Sequence, residues 1–173
     1  GVSRNAVLRT PHPIYAERAK GCRIVDVDGT ERVDFANNMA SLIHGHGHPA
    51  IVAAVIAQLE RGTAYTMATQ AEIDYAHQLR ARQPGFCKMR FMNSGTEAIM
   101  AALKAARAFT GRPKIAKVEG TYHGAYDVVE VSQASTPANW GPADRPASVA
   151  LAQGTPESVL REVVVLPYND PEA

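Results

Sequence analysis

The chain is poor in cysteine: two residues in 173, Cys22 and Cys87, neither of them in a CxxC pair. Isolated thiols of this kind read as free side chains in a reducing compartment, not as a disulfide framework or a metal site, so the expected location is cytoplasmic. Charge of one sign is missing too. Eighteen Lys and Arg face seventeen Asp and Glu, interspersed, for a net charge of +1. With no basic stripe or tail, and no RNA-binding or helix-turn-helix signature, nucleic acid is not an expected partner. Apolar runs are short, as at Val163–Leu166, so no transmembrane segment and no membrane partner are expected. Gly1 to Thr10 lacks the apolar core of a secretory signal. No internal repeat is visible. No G-x-G-x-x-G follows the chain's strand-like run, and no acidic residue stands in a ribose-binding context, which argues against a Rossmann dehydrogenase.

What is present is ordinary globular material: 46% apolar and 20% charged residues, enough to bury a single core. Gly1 to Pro13 is an irregular lead-in carrying Arg4 and Arg9. Cys22 to Asp28 alternates apolar and polar residues, turns at Asp28-Gly29-Thr30 and returns through Arg32 to Phe35, which predicts a hairpin. Pro49 occupies the first position of a predicted helix carrying Ile51, Val52, Val55, Ile56 and Leu59, and Arg61-Gly62 ends it. Thr69-Gln-Ala-Glu72 is a capping-box pattern that opens a second helix, which runs toward Pro84-Gly85.

From Cys87 the pattern changes to strand, turn, helix, strand. Cys87 to Met92 reads as a strand and Asn93-Ser-Gly-Thr-Glu-Ala98 as a turn into an alanine-rich helix ended by Gly111-Arg-Pro113. Lys114 to Glu119 reads as the next strand. A βαβ unit of this kind implies a parallel crossover with a ligand at the carboxyl ends of the strands. Ser132 to Pro156, rich in Pro, Gly, Ser and Ala, is expected to be a surface loop with some mobility near the site, and Glu162 to Leu166 a buried strand.

The strand-to-helix turn carries chemistry. A helix start leaves backbone N–H groups unpaired and presents a positive dipole end, which suits a phosphate. Ser94 and Thr96 add hydroxyls and Gly95 permits close approach. The same residues also make an ordinary helix start, with Ser94 as N-cap and Glu97 in the first turn. Gly120-Thr-Tyr-His-Gly124 places an aromatic ring and an imidazole after the second strand. A phosphate cradle with a stacking aromatic suggests a flat, phosphorylated, aromatic cofactor. His44, His46 and His48 alternate as three imidazoles on a strand would, but Gly45, Gly47 and Pro49 are turn formers, so no metal site is expected.

Four segments occur in one order: Val25-Asp-Val-Asp-Gly29 with Asp34-Phe35, Gly45-His-Gly-His-Pro49, Asn93 to Ala98, and Val118-Glu-Gly-Thr-Tyr-His-Gly124. In this the chain resembles, from Gly1 to Tyr168-Asn-Asp-Pro171, the N-terminal part of a class III pyridoxal-phosphate aminotransferase. Its nearest likeness is to the branch of the glutamate-1-semialdehyde aminomutases and β-amino-acid aminotransferases. The resemblance implies an α/β protein of the PLP-dependent transferase fold type I. Residues 1–83 would be the lead-in, hairpin and helices of the small-domain part, and residues 84–173 the incomplete start of the large doubly wound domain.

It also implies pyridoxal 5'-phosphate as cofactor, held by Ser94, Gly95 and Thr96, with Tyr122 stacked on the pyridine ring and His123 beside it. The expected reaction is a ping-pong transfer of an amino group between an amino acid and a keto acid or aldehyde, in a homodimer. Arg4 matches the arginine that faces the substrate carboxylate in the β-amino-acid branch, and Arg9 lies closer to the one used by the aminomutases; Arg suits the role by its planar fork. Both also read as solvated lead-in residues. Glu119 reads equally as an acceptor behind the site or a strand-end charge.

Departures from the aminomutase pattern bear on substrate. Asn37-Asn38-Met39 replaces a Gly-Ser-Trp stretch, and Ser132 to Trp140 replaces a gating loop rich in Ser, Gly and Ala. Another amino acid, α or β, is therefore at least as well matched as glutamate-1-semialdehyde, and formation of 5-aminolevulinate is the alternative activity. The family's reactive lysine and its pyridine-nitrogen carboxylate lie downstream of residue 173. None of Lys20, Lys88, Lys104, Lys114 or Lys117 stands in that context, so no catalytic residue is expected in this stretch. A non-catalytic cofactor-binding or oligomerising fragment is the remaining alternative.

Overall fold

The computed structural model describes residues 2–3 and 7–172. Arg4 lies outside the described residues. The chain divides into two compact units, Gly1–Leu79 and Arg80–Ala173.

The first unit begins with an antiparallel sheet of β1 (Ala16–Lys20), β2 (Arg23–Asp26) and β3 (Glu31–Val33), in that order. The hairpin predicted around Asp28-Gly29 is β2–β3, with Arg23 opposite Val33 and Val25 opposite Glu31. Asp26 builds the turn. Its carboxylate accepts from the N–H groups of Asp28 at 3.1 Å and Thr30 at 2.8 Å and from the Arg32 guanidinium. Only 3% exposed, it is held below the ordinary aspartate pKa, first by Arg32. Gly29 takes the positive φ the turn requires, 80°.

After β3 the chain makes α1 (Asn37–Ala40), a single left-handed turn. Four consecutive residues other than glycine have φ between 46° and 63°. Asn tolerates this backbone; Met39 and Ala40 do not, at roughly 1–2 kcal/mol each. Asp34 accepts the N–H of Asn37 at 2.9 Å at the entry to this turn. Helix α2 (Pro49–Leu59) starts with Pro at its first position, as predicted, and α3 (Gln70–Arg82) opens with Thr69 Oγ1 accepting the Glu72 N–H at 3.3 Å. No residue of α2 is buried, and Ile51, Val52, Val55, Ile56 and Leu59 are each about half exposed.

In the second unit the expected strand at Cys87 to Met92 is not formed. Those residues run to the start of α4 (Gly95–Thr110) without a ladder partner. Apolar content gives a segment β propensity, but a strand exists only within a ladder, and no β-ladder among the described residues includes this segment. The parallel pair is instead β4 (Ile115–Val118) with β5 (Val163–Leu166), Ile115 opposite Val163 and Val118 opposite Leu166. Helix α4 ends where Gly111 adopts φ 67° and its N–H returns to the Arg107 carbonyl at 2.9 Å.

Short helices α5 (Asp127–Glu130) and α6 (Glu157–Glu162) lie between β4 and β5. The core is Val128, Val129 and Val131 against Val163 and Val165, with Ile99, Leu103, Ile115 and Leu160 packed on it. The Ser132 to Pro156 stretch holds no helix or strand, yet it begins at one of the most buried points of the unit. Ser132 is 1% exposed; its hydroxyl donates to the Ala147 carbonyl at 2.7 Å and accepts the Val149 N–H at 2.9 Å. The stretch is thus tied at its root, not a free surface loop.

Candidate functional site

The site grows from the first turn of α4. Ser94 is its N-cap, extended at φ −146° and ψ 161°, and its hydroxyl accepts the Glu97 N–H at 3.2 Å. The Glu97 carboxylate reaches back to the N–H groups of Asn93 at 2.8 Å and Ser94 at 3.1 Å, a reciprocal capping box. The helical ladder begins with Ala98 N–H on the Ser94 carbonyl at 3.0 Å. The N–H groups of Gly95 and Thr96 therefore lie ahead of it, at the positive end of the helix. A β-carbon placed on Gly95 would meet nothing within 4 Å, so the space over this turn is open.

Strand β4 delivers the second half. Its carboxyl end leads into Glu119 to Tyr126, a segment without helix or strand that carries Tyr122 and His123. Thr96 joins the two halves: its hydroxyl oxygen accepts the Ala125 N–H at 3.1 Å. Because that bond uses a lone pair, the hydroxyl proton of Thr96 is left to donate elsewhere. Gly124, at φ 104°, presses its backbone against Thr96, where a β-carbon would come within 2.7 Å of Oγ1.

Tyr122 is 68% exposed and has a face to offer. His123 is oriented from behind, with Nε2 3.0 Å from the Thr121 hydroxyl oxygen. Thr121 spends its only proton on the Val118 carbonyl, 2.6 Å away, so Nε2 is the donor to Thr121 and Nδ1 keeps the lone pair in the neutral ring.

The structure thus brings Ser94, Gly95 and Thr96 onto one turn and links that turn to the Tyr122-His123 segment through a single side chain. A phosphate fits here. Two amides outside the ladder, a threonine hydroxyl whose proton is left to donate and a glycine with open space above it form the donor set and clearance an anion needs. An open hollow of about 520 Å³ lies against residues 90–93 and Glu97, Met100, Ala101 and Lys104. It shares Asn93 and Glu97 with the cap but touches neither Thr96 nor Tyr122, so it is a neighbouring surface.

Arg9, in the other unit, donates to the Leu8 carbonyl at 2.8 Å. His44 and His48 have ring centroids 5.2 Å apart, and His46 Nε2 instead meets Asp34 Oδ2 at 2.7 Å. Gly124 and Ala125 are the contributors the sequence reading did not single out. The glycine closing Tyr-His-Gly was the available signal, since glycine permits a positive φ and a close backbone approach.

Comparison with known proteins gives the family. The family model of the class-III aminotransferases matches residues 5–161, and the chain belongs to that family. It is 43% identical over 173 residues, all of this chain and 39% of the relative, to the glutamate-1-semialdehyde 2,1-aminomutase of Methanothermobacter thermautotrophicus. Among solved structures it is similar to an omega-transaminase from Sphaerobacter thermophilus, with 51% identity and a TM-score of 0.92 over 98% of this chain and 38% of that one. A transaminase with PLP bound matches at 49% identity and a TM-score of 0.89, over 99% and 38% of the two chains. The chain spans about two-fifths of the length of these relatives. The fold is that of an N-terminal part of fold type I PLP-dependent aminotransferases. No described helix is long and apolar enough to cross a membrane.

Proposed function

We propose that this chain supplies the phosphate turn and ring-stacking segment of a pyridoxal-phosphate aminotransferase, with Ser94, Gly95 and Thr96 toward the phosphate and Tyr122 and His123 toward the ring. The Thr96 hydroxyl on the Ala125 N–H carries the reading, because it fixes the anion turn and the aromatic segment to one another. When bound, the cofactor supplies an electron sink for the substrate's α- or β-carbon. The chain's own contribution is to orient it: amides and hydroxyls on the phosphate, an exposed tyrosine face on the ring, and an imidazole fixed as one tautomer.

The reaction we infer is transfer of an amino group between an amino acid and a keto acid or aldehyde. Similarity to a transaminase at 51% identity, against 43% for an aminomutase, supports this order of preference. The residues at 37–39 support it too, since they replace the aminomutase stretch. Arg4 and Arg9 are the proposed carboxylate partners. A cytoplasmic homodimer is proposed as well; the half-exposed apolar residues of α2 are of the kind a subunit contact covers.

The test is the visible spectrum of the full-length polypeptide incubated with pyridoxal phosphate, then given an amino acid with and without a 2-oxo acid. A cofactor band that shifts with the amino acid and returns with the oxo acid is the expected result. A band that never forms would overturn the cofactor assignment. Turnover of glutamate-1-semialdehyde without an oxo acid would replace transaminase by mutase.

A further inference from the structure

One lysine in the second unit is placed unlike any other. Lys117, in the middle of β4, is only 5% exposed. Its ammonium donates to the Val131 carbonyl at 2.7 Å and to the Val118 carbonyl at 3.1 Å. Those two carbonyls stand at opposite ends of one excursion of the chain. It leaves β4 after Val118, passes Tyr122 and His123, runs through α5 and returns to the strand at Val131. The N–H of Gly120 on the Ser132 carbonyl, at 2.8 Å, closes the same neck one residue further out.

We propose that Lys117 is a positioning residue, whose ammonium clasps the two ends of the 119–131 excursion and so holds Tyr122 and His123 at the Thr96 turn. A buried ammonium is costly to desolvate and persists only where acceptors and counter-charge compensate it. Burial draws Lys117 below the ordinary lysine value, and Glu119, two residues along the same strand direction, opposes that. Oε1 of Glu119 is itself buried without a hydrogen-bond partner among the described residues, which leaves that carboxylate as the local counter-charge. The clasp also reaches the imidazole, because the Val118 carbonyl takes the Thr121 hydroxyl, and Thr121 takes His123 Nε2. An ammonium so engaged is turned into the fold and unavailable as a nucleophile. Its role is to hold geometry that other side chains use.

The claim about Tyr122 rests on the cofactor reading above, and two readouts separate them. The first is hydrogen exchange of the full-length protein and its Lys117→Met variant. Amides of residues 120–131 should exchange about tenfold faster while those of Val163–Leu166 are unchanged. Unchanged exchange at 120–131, or faster exchange everywhere, would overturn the clasp. The second is a double-mutant cycle on pyridoxal phosphate affinity. Lys117→Met should weaken binding about tenfold alone but less than about twofold in a Tyr122→Ala background, whereas additive effects would show that it does not act through Tyr122. Local loosening in a protein that binds no cofactor would uphold the clasp and sink the cofactor assignment instead. Should the Met variant not fold, Lys117→Gln, whose amide nitrogen ends one atom short of the lysine nitrogen and so cannot span both carbonyls, gives the same local reading.

Discussion

A β-carbon on Gly124 would stand 2.7 Å from the hydroxyl oxygen of Thr96 and 2.9 Å from its α-carbon. Neither neighbour can yield cheaply, since the first holds Ala125 and the second is backbone in the opening turn of α4. Gly124 also has φ 104°, outside the range of L side chains. Gly124→Ala should therefore separate the two halves of the site, at a cost of about 1–3 kcal/mol. We expect a lower unfolding midpoint together with weaker pyridoxal phosphate binding. An alanine variant with unchanged affinity and midpoint would show that the two segments need not touch.

Tyr122 is the opposite case, because its ring is mostly exposed. Tyr122→Ala should leave the unfolding midpoint of the cofactor-free protein unchanged and weaken cofactor retention about tenfold, the order expected for one aromatic stack. Equilibrium titration of pyridoxal phosphate by absorbance checks this. Unaltered retention would remove Tyr122 from the site.

Much of this arrangement is written locally. Ser94-Gly-Thr-Glu97 specifies its capping box within four residues, Asp26 to Thr30 its own turn, and Pro49 the start of α2, so each was legible without knowledge of neighbours. What was not legible depends on distant partners. Cys87 to Met92 has strand composition but joins no ladder among the described residues, and β1, Ala-Glu-Arg-Ala-Lys, is a polar edge strand with no apolar alternation to announce it. Lys117 reads as a solvated charge in sequence, because its two acceptors are carbonyls, one of them fourteen residues away. Ser132 hides similarly in a stretch whose composition says loop, since a hydroxyl bonded to residues 147 and 149 leaves no trace in local pattern.

The capping box makes a separable prediction. Glu97→Ala removes the acceptor for two amides at Asn93 and Ser94, so α4 should lose about 1 kcal/mol of stability. It also removes a negative charge from the helix end that would receive a phosphate, an effect of the helix dipole's sign. Inorganic phosphate should consequently stabilise the variant more than the parent in thermal melts. Equal stabilisation of both would place the anion away from this turn.

In the first unit, the Asp34 carboxylate should contribute to the acid limb of stability. Asp34 Oδ2 meets His46 Nε2 at 2.7 Å, and Oδ1 takes the Asn37 N–H, tying β3's exit to the loop before α2 and to the left-handed turn. These bonds, the one from His46 first, hold the Asp34 carboxyl below the ordinary aspartate value of 3.8. A carboxyl whose pKa is lower folded than unfolded binds more protons when unfolded. Its contribution is therefore complete above the unfolded value and disappears as pH falls through the folded one. Asp34→Asn should lower the melting temperature at neutral pH, flatten its decline below about pH 4, and converge with the parent at the most acid pH. Parallel curves, with a constant offset down to pH 2, would mean that the carboxylate's charge contributes nothing and that its role is shape alone.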